Sequence, residues 1–260
     1  MKFLDELKKE AEERKQQEAQ DTQSKLSALG QNFMQLQAKL REIYAYLEEL
    51  VKQLNVVKPT VLRSYYIESL GTLEKLNQKE YALGKTHKSI DGKDFFDTIT
   101  LRFKCVAEGV LTSEKDTAAL IKSLREFLWA YNIKFEIQEL KNLRGFVERA
   151  IFKVPHEVPV MVSFSGDLEK SIVRVKAKNL ERFSEINYSY ELGEVNEALL
   201  DEFSKLLVGK PNNFRQLGKH QSPARTPLNK ASILDTQYKI EEEPAEKKGL
   251  LGSIKNKFFS

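Results

Sequence analysis

The chain has 260 residues, of which 41% are hydrophobic, so it is long enough to bury one sizeable core. The net charge of +4 is unevenly placed, because residues 210–260 hold 10 basic and 5 acidic side chains while the rest is near neutral. No apolar run approaches the roughly 20 residues of a membrane-spanning helix, and the mixed-charge start is unlike a signal peptide, which predicts a cytoplasmic protein.

Residues 1–57 are predicted to form one long helix, because no proline precedes Pro59 and Gly30 is the only glycine. Within this helix, nine apolar residues recur at alternating spacings of three and four, the pattern of a coiled coil. They are Leu26, Leu29, Phe33, Leu36, Leu40, Ile43, Leu47, Leu50 and Leu54. We interpret them as an oligomerisation surface, with the alternative that the helix lies on its own domain.

Residues 58–209 are predicted to form an antiparallel α+β domain with about seven strands and two helices. The clearest strand is centred on Ile99 to Cys105, where apolar and polar residues alternate. Ser113, with Asp116 three residues later, suggests the start of a helix, and a second helix is predicted from Glu194 to Val208. The overall class is α+β, with a coiled-coil helix before the sheet and a disordered tail after it.

Residues 210–246 are predicted to be a flexible tether, because prolines and polar residues replace the large apolar side chains. Residues 247–260 differ, since their apolar residues fall on one side of a helix and lysines flank them. The predicted membrane-binding residues are Lys247, Lys248, Leu250, Leu251, Ile254, Lys255, Lys257, Phe258 and Phe259. A protein groove is the alternative docking site for this segment.

The last fifteen residues resemble the C-terminal membrane-targeting peptide of the Min-system cell-division ATPase and similar bacterial peripheral proteins. The shared features are an acidic spacer, the Lys247-Lys248-Gly249 start and a short basic and apolar helix at the end. The resemblance implies attachment to an anionic membrane at its inner face. It implies no activity, because the nucleotide-binding motifs of that ATPase are missing here.

No catalytic, metal-binding or cofactor-binding site is predicted. His87, His156 and His220 are far apart and lack a second ligand at metal-binding spacing, and no glycine-rich phosphate loop occurs. The single cysteine, Cys105, fits a strand core in a reducing compartment. An enzyme with an unrecognised site is therefore the less favoured interpretation.

Two segments alternate aromatic and basic side chains, Arg63–Tyr66 and Arg144–Arg149, which could stack on single-stranded nucleic acid. The favoured interpretation is that these are ordinary half-buried strands, because acidic residues adjoin them.

The sequence thus predicts a non-catalytic cytoplasmic scaffold or adaptor that self-associates through its N-terminal helix and attaches to an anionic membrane by its C-terminus. Its body is expected to bind an unknown protein partner. One alternative is a nucleic-acid-associated protein that uses the basic tail. Another is a ligand-binding or enzymatic α+β domain, which a deep pocket on the uncovered face of the sheet would favour.

Overall fold

The computed structural model describes residues 2–90 and 92–221 and has mixed α+β architecture. Its helices are α1 (Lys2–Val57), α2 (Ala118–Ala130) and α3 (Glu197–Leu207). Its strands are β1 (Leu62–Ile67), β2 (Gly71–Ile90), β3 (Lys93–Lys115), β4 (Glu136–Lys141), β5 (Val147–Asp167), β6 (Ile172–Lys178), β7 (Glu185–Glu191) and β8 (Lys219–Gln221). The long N-terminal helix and the antiparallel sheet confirm the α+β prediction in outline.

The eight strands form one antiparallel sheet in the order β1-β2-β3-β5-β6-β7-β8, with β4 paired separately to β5. Strand alternation gives the sheet an apolar inner face, on which Leu101, Val162 and Ala177 are aligned by cross-strand register and are buried. The opposite face, here called the open face, carries Arg102, Met161 and Lys178 in the neighbouring register. The core therefore lies on one side of the sheet.

The alternation of residues 146–154 and of 158–164, with Pro155 between them, predicts two strands, but both belong to β5, one continuous strand of 21 residues. Its partner β3 likewise continues to Lys115, with an irregularity in pairing between Val106 and Val110. Gly109, at φ +125° within that irregularity, adopts a backbone conformation that favours glycine. The bulge lets the paired strands continue past Pro155.

The helix α1 packs on the inner face with its C-terminal half only. Leu36, Leu40, Ile43, Leu47 and Leu54 are buried, and α1 contacts β2, β3, β5 and α3. In this structure the apolar residues in the second half of the heptad pattern pack on the chain's own sheet. This arrangement is the alternative interpretation of the sequence, in which the helix lies on its own domain.

A side-chain amide fixes the register of α1 on the sheet. Gln37 is buried, accepts a hydrogen bond from the Phe96 backbone N–H at 2.8 Å and donates one to the Phe96 carbonyl at 2.9 Å. Nearby, Phe33 packs edge-on against Phe95, with ring centroids 4.6 Å apart. These contacts place residue 33 of α1 at the end of the sheet where β2 turns into β3.

The helix α2 begins later than the sequence indicates. Ser113 lies within β3, and the N-cap is Thr117, whose side chain accepts a hydrogen bond from the Leu120 N–H. A hydroxyl side chain at residue 113 or at residue 117 fits the capping pattern. Ser113 is instead part of β3, where it pairs with Phe152 of β5. The N-cap of α3 is Asn196, two residues beyond the predicted start at Glu194.

Residues 210–221, assigned by composition to the tether, lie on the sheet. Phe214 is buried against Phe203 and Tyr190, and the Tyr190 hydroxyl donates a hydrogen bond to the Phe214 carbonyl at 2.9 Å. Strand β8 then pairs with β7. The Asn213 N–H also donates to the Glu202 carboxylate, and Arg215 pairs with Glu181, so Phe214 and these polar contacts together hold the segment. The rest of the predicted tether, and all of 247–260, lies outside the described residues.

Candidate functional site

The open face carries a cleft at its centre, where β3, β5 and β6 lie side by side. Its volume is about 320 Å³. The residues that line it are Glu80, Arg102, Phe103, Lys104, Tyr131, Asn132, Pro159, Val160, Met161, Lys178 and Asn179. This open-face cleft is built by strand register, because Arg102 pairs with Met161 and Met161 pairs with Lys178.

One cation of the cleft is compensated by carboxylates. The Lys104 Nζ lies 2.9 Å from the Glu80 Oε2 and 3.5 Å from the Glu157 Oε1. The hydrogen bond to Glu80 is the main reason that the pKa of Lys104 is raised. Lys104 therefore adds little net positive charge for a ligand.

The other two cations are less compensated. The Lys178 Nζ donates to the Asn132 Oδ1 at 3.2 Å, and burial lowers the pKa of Lys178 because it disfavours the charged form. Among residues 2–90 and 92–221, no carboxylate lies within ion-pair distance of Lys178 or Arg102. Glu185, the cross-strand partner of Lys178, attracts it electrostatically but forms its ion pair with Lys176 at 2.8 Å. A bound anion would add to this partial counter-charge.

The floor of the cleft is held by Asn179, which is buried and adopts a left-handed backbone conformation at φ 59°. Its Nδ2 donates to the carbonyl oxygens of Tyr131 and Pro159, each at 2.9 Å. Its Oδ1 has no hydrogen-bond partner in the described part of the chain. Because both donor bonds go to backbone groups, they fix the side chain in place.

The side chains of the cleft are those of a binding site for a small anion. Two weakly compensated cations and several apolar walls suit a small anion such as a phosphate or carboxylate. Within the described ranges, no cluster of three His, Cys, Asp or Glu side chains could hold a metal ion. Cys105 is buried beside the Tyr65 hydroxyl, and burial raises the pKa of its thiol, which favours the unreactive form.

The predicted oligomerisation residues divide into two groups along α1. Residues from Leu36 onward face the sheet, and Leu50 is partly buried against the same core. Phe33 lies at the boundary, while Leu29 is 41% exposed. Leu26 belongs to α1, but its side chain is not among those described. The nine predicted membrane-binding residues lie outside the described residues.

The two aromatic and basic segments have different surroundings. Arg63 donates to the carbonyl oxygens of Leu206 and Leu207 at the end of α3, and Tyr65 is buried. Neither side chain is therefore free to contact nucleic acid. The second segment, around Arg144 and Phe146, stays exposed at the β4–β5 turn.

Sequence reasoning missed the open-face cleft. Its residues come from β2, β3, β5, β6 and the turn after α2, so they are brought together by cross-strand register. The alternation of Arg102 and Lys104 with apolar neighbours was the available signal, but alternation does not indicate which strands become adjacent.

Comparison with known proteins adds no assignment, because no family model, curated protein or solved structure matches this chain. Among the described residues, no helix has the length and apolar character required to cross a membrane.

Proposed function

We propose that the protein is a non-catalytic adaptor that self-associates through the first part of α1 and attaches peripherally to an anionic membrane through residues 247–260. The observation that carries the proposal is the division of α1. Residues 2–31, here called the arm, precede the first contacts with the body at Phe33. All the described side chains of the arm are exposed.

A helix of this length is poorly stabilised when it is alone in water. The arm has ion pairs between Lys9 and Glu13 at 3.8 Å and between Glu10 and Arg14 at 3.2 Å. Such pairs contribute only about 0.2–0.5 kcal/mol each, whereas most helical stability in proteins comes from packing. A second helix packed against the arm near Leu29, which is exposed, would bury apolar surface there, whereas residues 8–24 carry no apolar side chain larger than alanine.

Self-association would also strengthen membrane attachment. A single short amphipathic helix gives weak, reversible binding, with lysines adding about 1 kcal/mol each near an anionic leaflet. When two such segments are joined through paired arms, the second binds at a high effective concentration, and the overall membrane affinity rises on the order of 10²-fold or more. The arm would therefore control how firmly residues 247–260 hold the protein.

The arm is tested by removing residues 2–31 and measuring molar mass by light scattering. We expect the full chain to be an oligomer and the shortened chain to be a monomer with the same thermal unfolding midpoint. Leu29→Asp should shift the full chain toward monomer, and Gln20→Asp, on the same exposed arm, is the matched control. An identical mass for the full and shortened chains would refute self-association through the arm.

The membrane segment is tested by vesicle co-sedimentation of the full chain and a chain ending at Glu246, with anionic and neutral lipids in parallel. Selective loss of anionic-vesicle binding on truncation is the expected result. Binding to RNA or DNA with a steep salt dependence, together with no vesicle binding, would instead favour the nucleic-acid alternative.

A second candidate function, binding of a small anion, is favoured by the weakly compensated Arg102 and Lys178 in the open-face cleft. Titration calorimetry with inorganic pyrophosphate tests it. Binding should be lost in Arg102→Ala and Lys178→Ala but kept in Lys170→Ala, a lysine outside the cleft. Equal heats in all three variants would argue against this function.

A further inference from the structure

The β4–β5 hairpin presents large apolar side chains to solvent at its tip. Leu143 is 108% exposed and Phe146 is 68% exposed, both within the five-residue turn 142–146. The free energy gained by removing a side chain from water grows with its apolar area, so large apolar side chains are usually buried. Two of them exposed on one turn form an unusual apolar surface.

The turn holds these side chains outward by an ordered set of hydrogen bonds. The Asn142 Oδ1 accepts from the backbone N–H groups of Arg144 and Phe146, each at 3.0 Å. The Asn142 N–H donates to the Phe146 carbonyl and the Gly145 N–H donates to the Asn142 carbonyl, both at 2.8 Å. Gly145, at φ +80°, takes the left-handed position that closes the turn. The exposed positions are therefore fixed by the backbone.

Cations flank the apolar tip. Lys141 and Arg144 are exposed and have no ion pair within the described ranges, while Arg149 pairs with Glu114 at 3.3 Å. The nearby carboxylate of Glu139 is engaged by Arg125. Glu148 is also exposed and places one carboxylate beside the tip, fewer than its two unpaired cations. The tip thus combines apolar side chains that can enter a bilayer interface with a local excess of positive charge that an anionic leaflet attracts.

We infer that the tip of the β4–β5 hairpin is a second membrane contact, in which Leu143 and Phe146 insert among the headgroups of an anionic leaflet beside Lys141 and Arg144. The inference rests on the proposed membrane attachment and names the part of the body that faces the lipid. An apolar pair bordered by a local excess of positive charge is the combination that an anionic leaflet attracts, so charge complementarity favours lipid over an apolar protein groove.

Both contacts can be made at once. Strand β8 ends at Gln221, and 25 residues, 222–246, separate it from Lys247. A chain of that length can span up to about 80–90 Å, which exceeds the length of β5 at roughly 3.3 Å per residue. The hairpin and residues 247–260 can therefore reach the same bilayer.

The experiment is vesicle flotation with phosphatidylcholine alone and with about 30% phosphatidylserine, an amount chosen to give the leaflet a negative surface potential. The Leu143→Ser and Phe146→Ser double variant is compared with a matched control, Leu62→Ser with Tyr66→Ser. Leu62 and Tyr66 are 54% and 67% exposed on β1, so the control removes a similar apolar pair elsewhere. Both variants are made in the full chain and in a chain ending at Glu246.

We expect the hairpin variant to reduce partitioning to anionic vesicles by about 10-fold or more in both chains, while the control changes it little. Unchanged partitioning of the hairpin variant overturns the inference and leaves a protein groove as the occupant. If truncation at Glu246 has no effect but the hairpin variant does, residues 247–260 fail as an anchor and the hairpin stands. If no chain floats with anionic vesicles, both proposals fail.

A second measurement does not depend on bulk binding. In Phe146→Trp, the added indole should show a blue-shifted emission with anionic vesicles, after subtraction of the native Trp129 signal. Tyr66→Trp serves as the control and should not shift. An unshifted Phe146→Trp spectrum at saturating lipid would overturn the inference.

Discussion

At Gly166, near the end of β5, the absence of a side chain lets Leu36 of α1 approach the strand closely. A Cβ at this position would overlap the Leu36 Cδ2 and lie 2.8 Å from its Cγ. Gly166→Ala should therefore lower the free energy of unfolding by about 1–3 kcal/mol through overpacking. Urea denaturation measures the change.

Gly84→Ala is the matched control for this position. Gly84 also lies in a strand, but its added Cβ would only reach the Thr100 carbonyl oxygen at 4.0 Å. Alanine is favoured over glycine in a strand by roughly 0.5–1 kcal/mol, so this variant should be neutral or slightly stabilised. Equal losses in both variants would show that Leu36 does not dock at Gly166.

Tyr81 links stability to alkaline pH. Burial raises the pKa of Tyr81 to about 12, and burial also raises the pKa values of Tyr65 and Tyr190. The unfolded chain ionises its tyrosines near pH 10, so the stability these groups contribute is fully present below about pH 10. It is lost as the pH rises through 12.

The expected result is a free energy of unfolding that falls steeply between about pH 10 and 12, measured by urea denaturation at stepped pH. Tyr81→Phe should have a shallower dependence in this window. It should also be less stable at neutral pH, because the Tyr81 hydroxyl donates a hydrogen bond to the Gln78 Oε1 at 2.8 Å. A slope identical to that of the unsubstituted chain would contradict the role of Tyr81.

Among the elements, α1 combines two segments that differ in energetic role. Leu47 is buried on the inner face, so Leu47→Ala should lower the free energy of unfolding by about 2–5 kcal/mol. Leu29→Ala, on the arm, should change it by less than about 0.5 kcal/mol. Thermal and urea unfolding of both variants provide the comparison, and similar losses would mean that Leu29 is buried as fully as Leu47, on the body or on a second copy.

The same division explains which parts of the fold the sequence could predict. An apolar stripe shows that one side of α1 is covered, and the alternation around Leu101 shows that one side of β3 is covered. Neither pattern shows what covers it, because a leucine stripe packs equally well on a second helix or on a sheet. The assignment of Leu40 and Leu47 therefore depends on tertiary structure.

Strand continuity and the candidate sites were harder to predict for a related reason. Pro155 indicates a turn, but the irregularity opposite it in β3 accommodates a residue without an N–H donor and lets β5 continue. Likewise, Arg102 and Lys178 are 76 positions apart, and only the shared neighbour Met161 brings them to one cleft. Register between distant strands is set by the whole sheet.

In the whole molecule, the arm and the hairpin tip lie at opposite ends of the β3–β5 strand pair. Phe33 packs on Phe95 at one end of β3, and the 142–146 turn follows the other end of the β3–β5 pair. Asn55 donates to the Tyr81 carbonyl, so α1 runs along the sheet and its arm points beyond the Phe95 end. An adaptor bound through the hairpin would therefore project its arm away from the bilayer.

Energy transfer to a membrane acceptor tests this orientation. Cys105 is buried, so a cysteine introduced at the surface can be labelled selectively with a fluorescent donor. Glu148→Cys places the donor beside the hairpin tip, and Gln17→Cys places it on the arm. The helix from residue 17 to residue 33 is about 24 Å long, and β5 from residue 148 to its far end is about 56 Å long. Laid end to end, these lengths separate the two sites by on the order of 80 Å.

With acceptor lipid in anionic vesicles, the donor at position 148 should be strongly quenched and the donor at position 17 should not. Vesicles without acceptor control for changes in donor environment. Equal quenching at both sites would mean that the arm lies along the bilayer, and stronger quenching at position 17 would reverse the orientation. Because the two donors differ only in their place along α1 and β5, their ratio reports which end of the sheet faces the lipid.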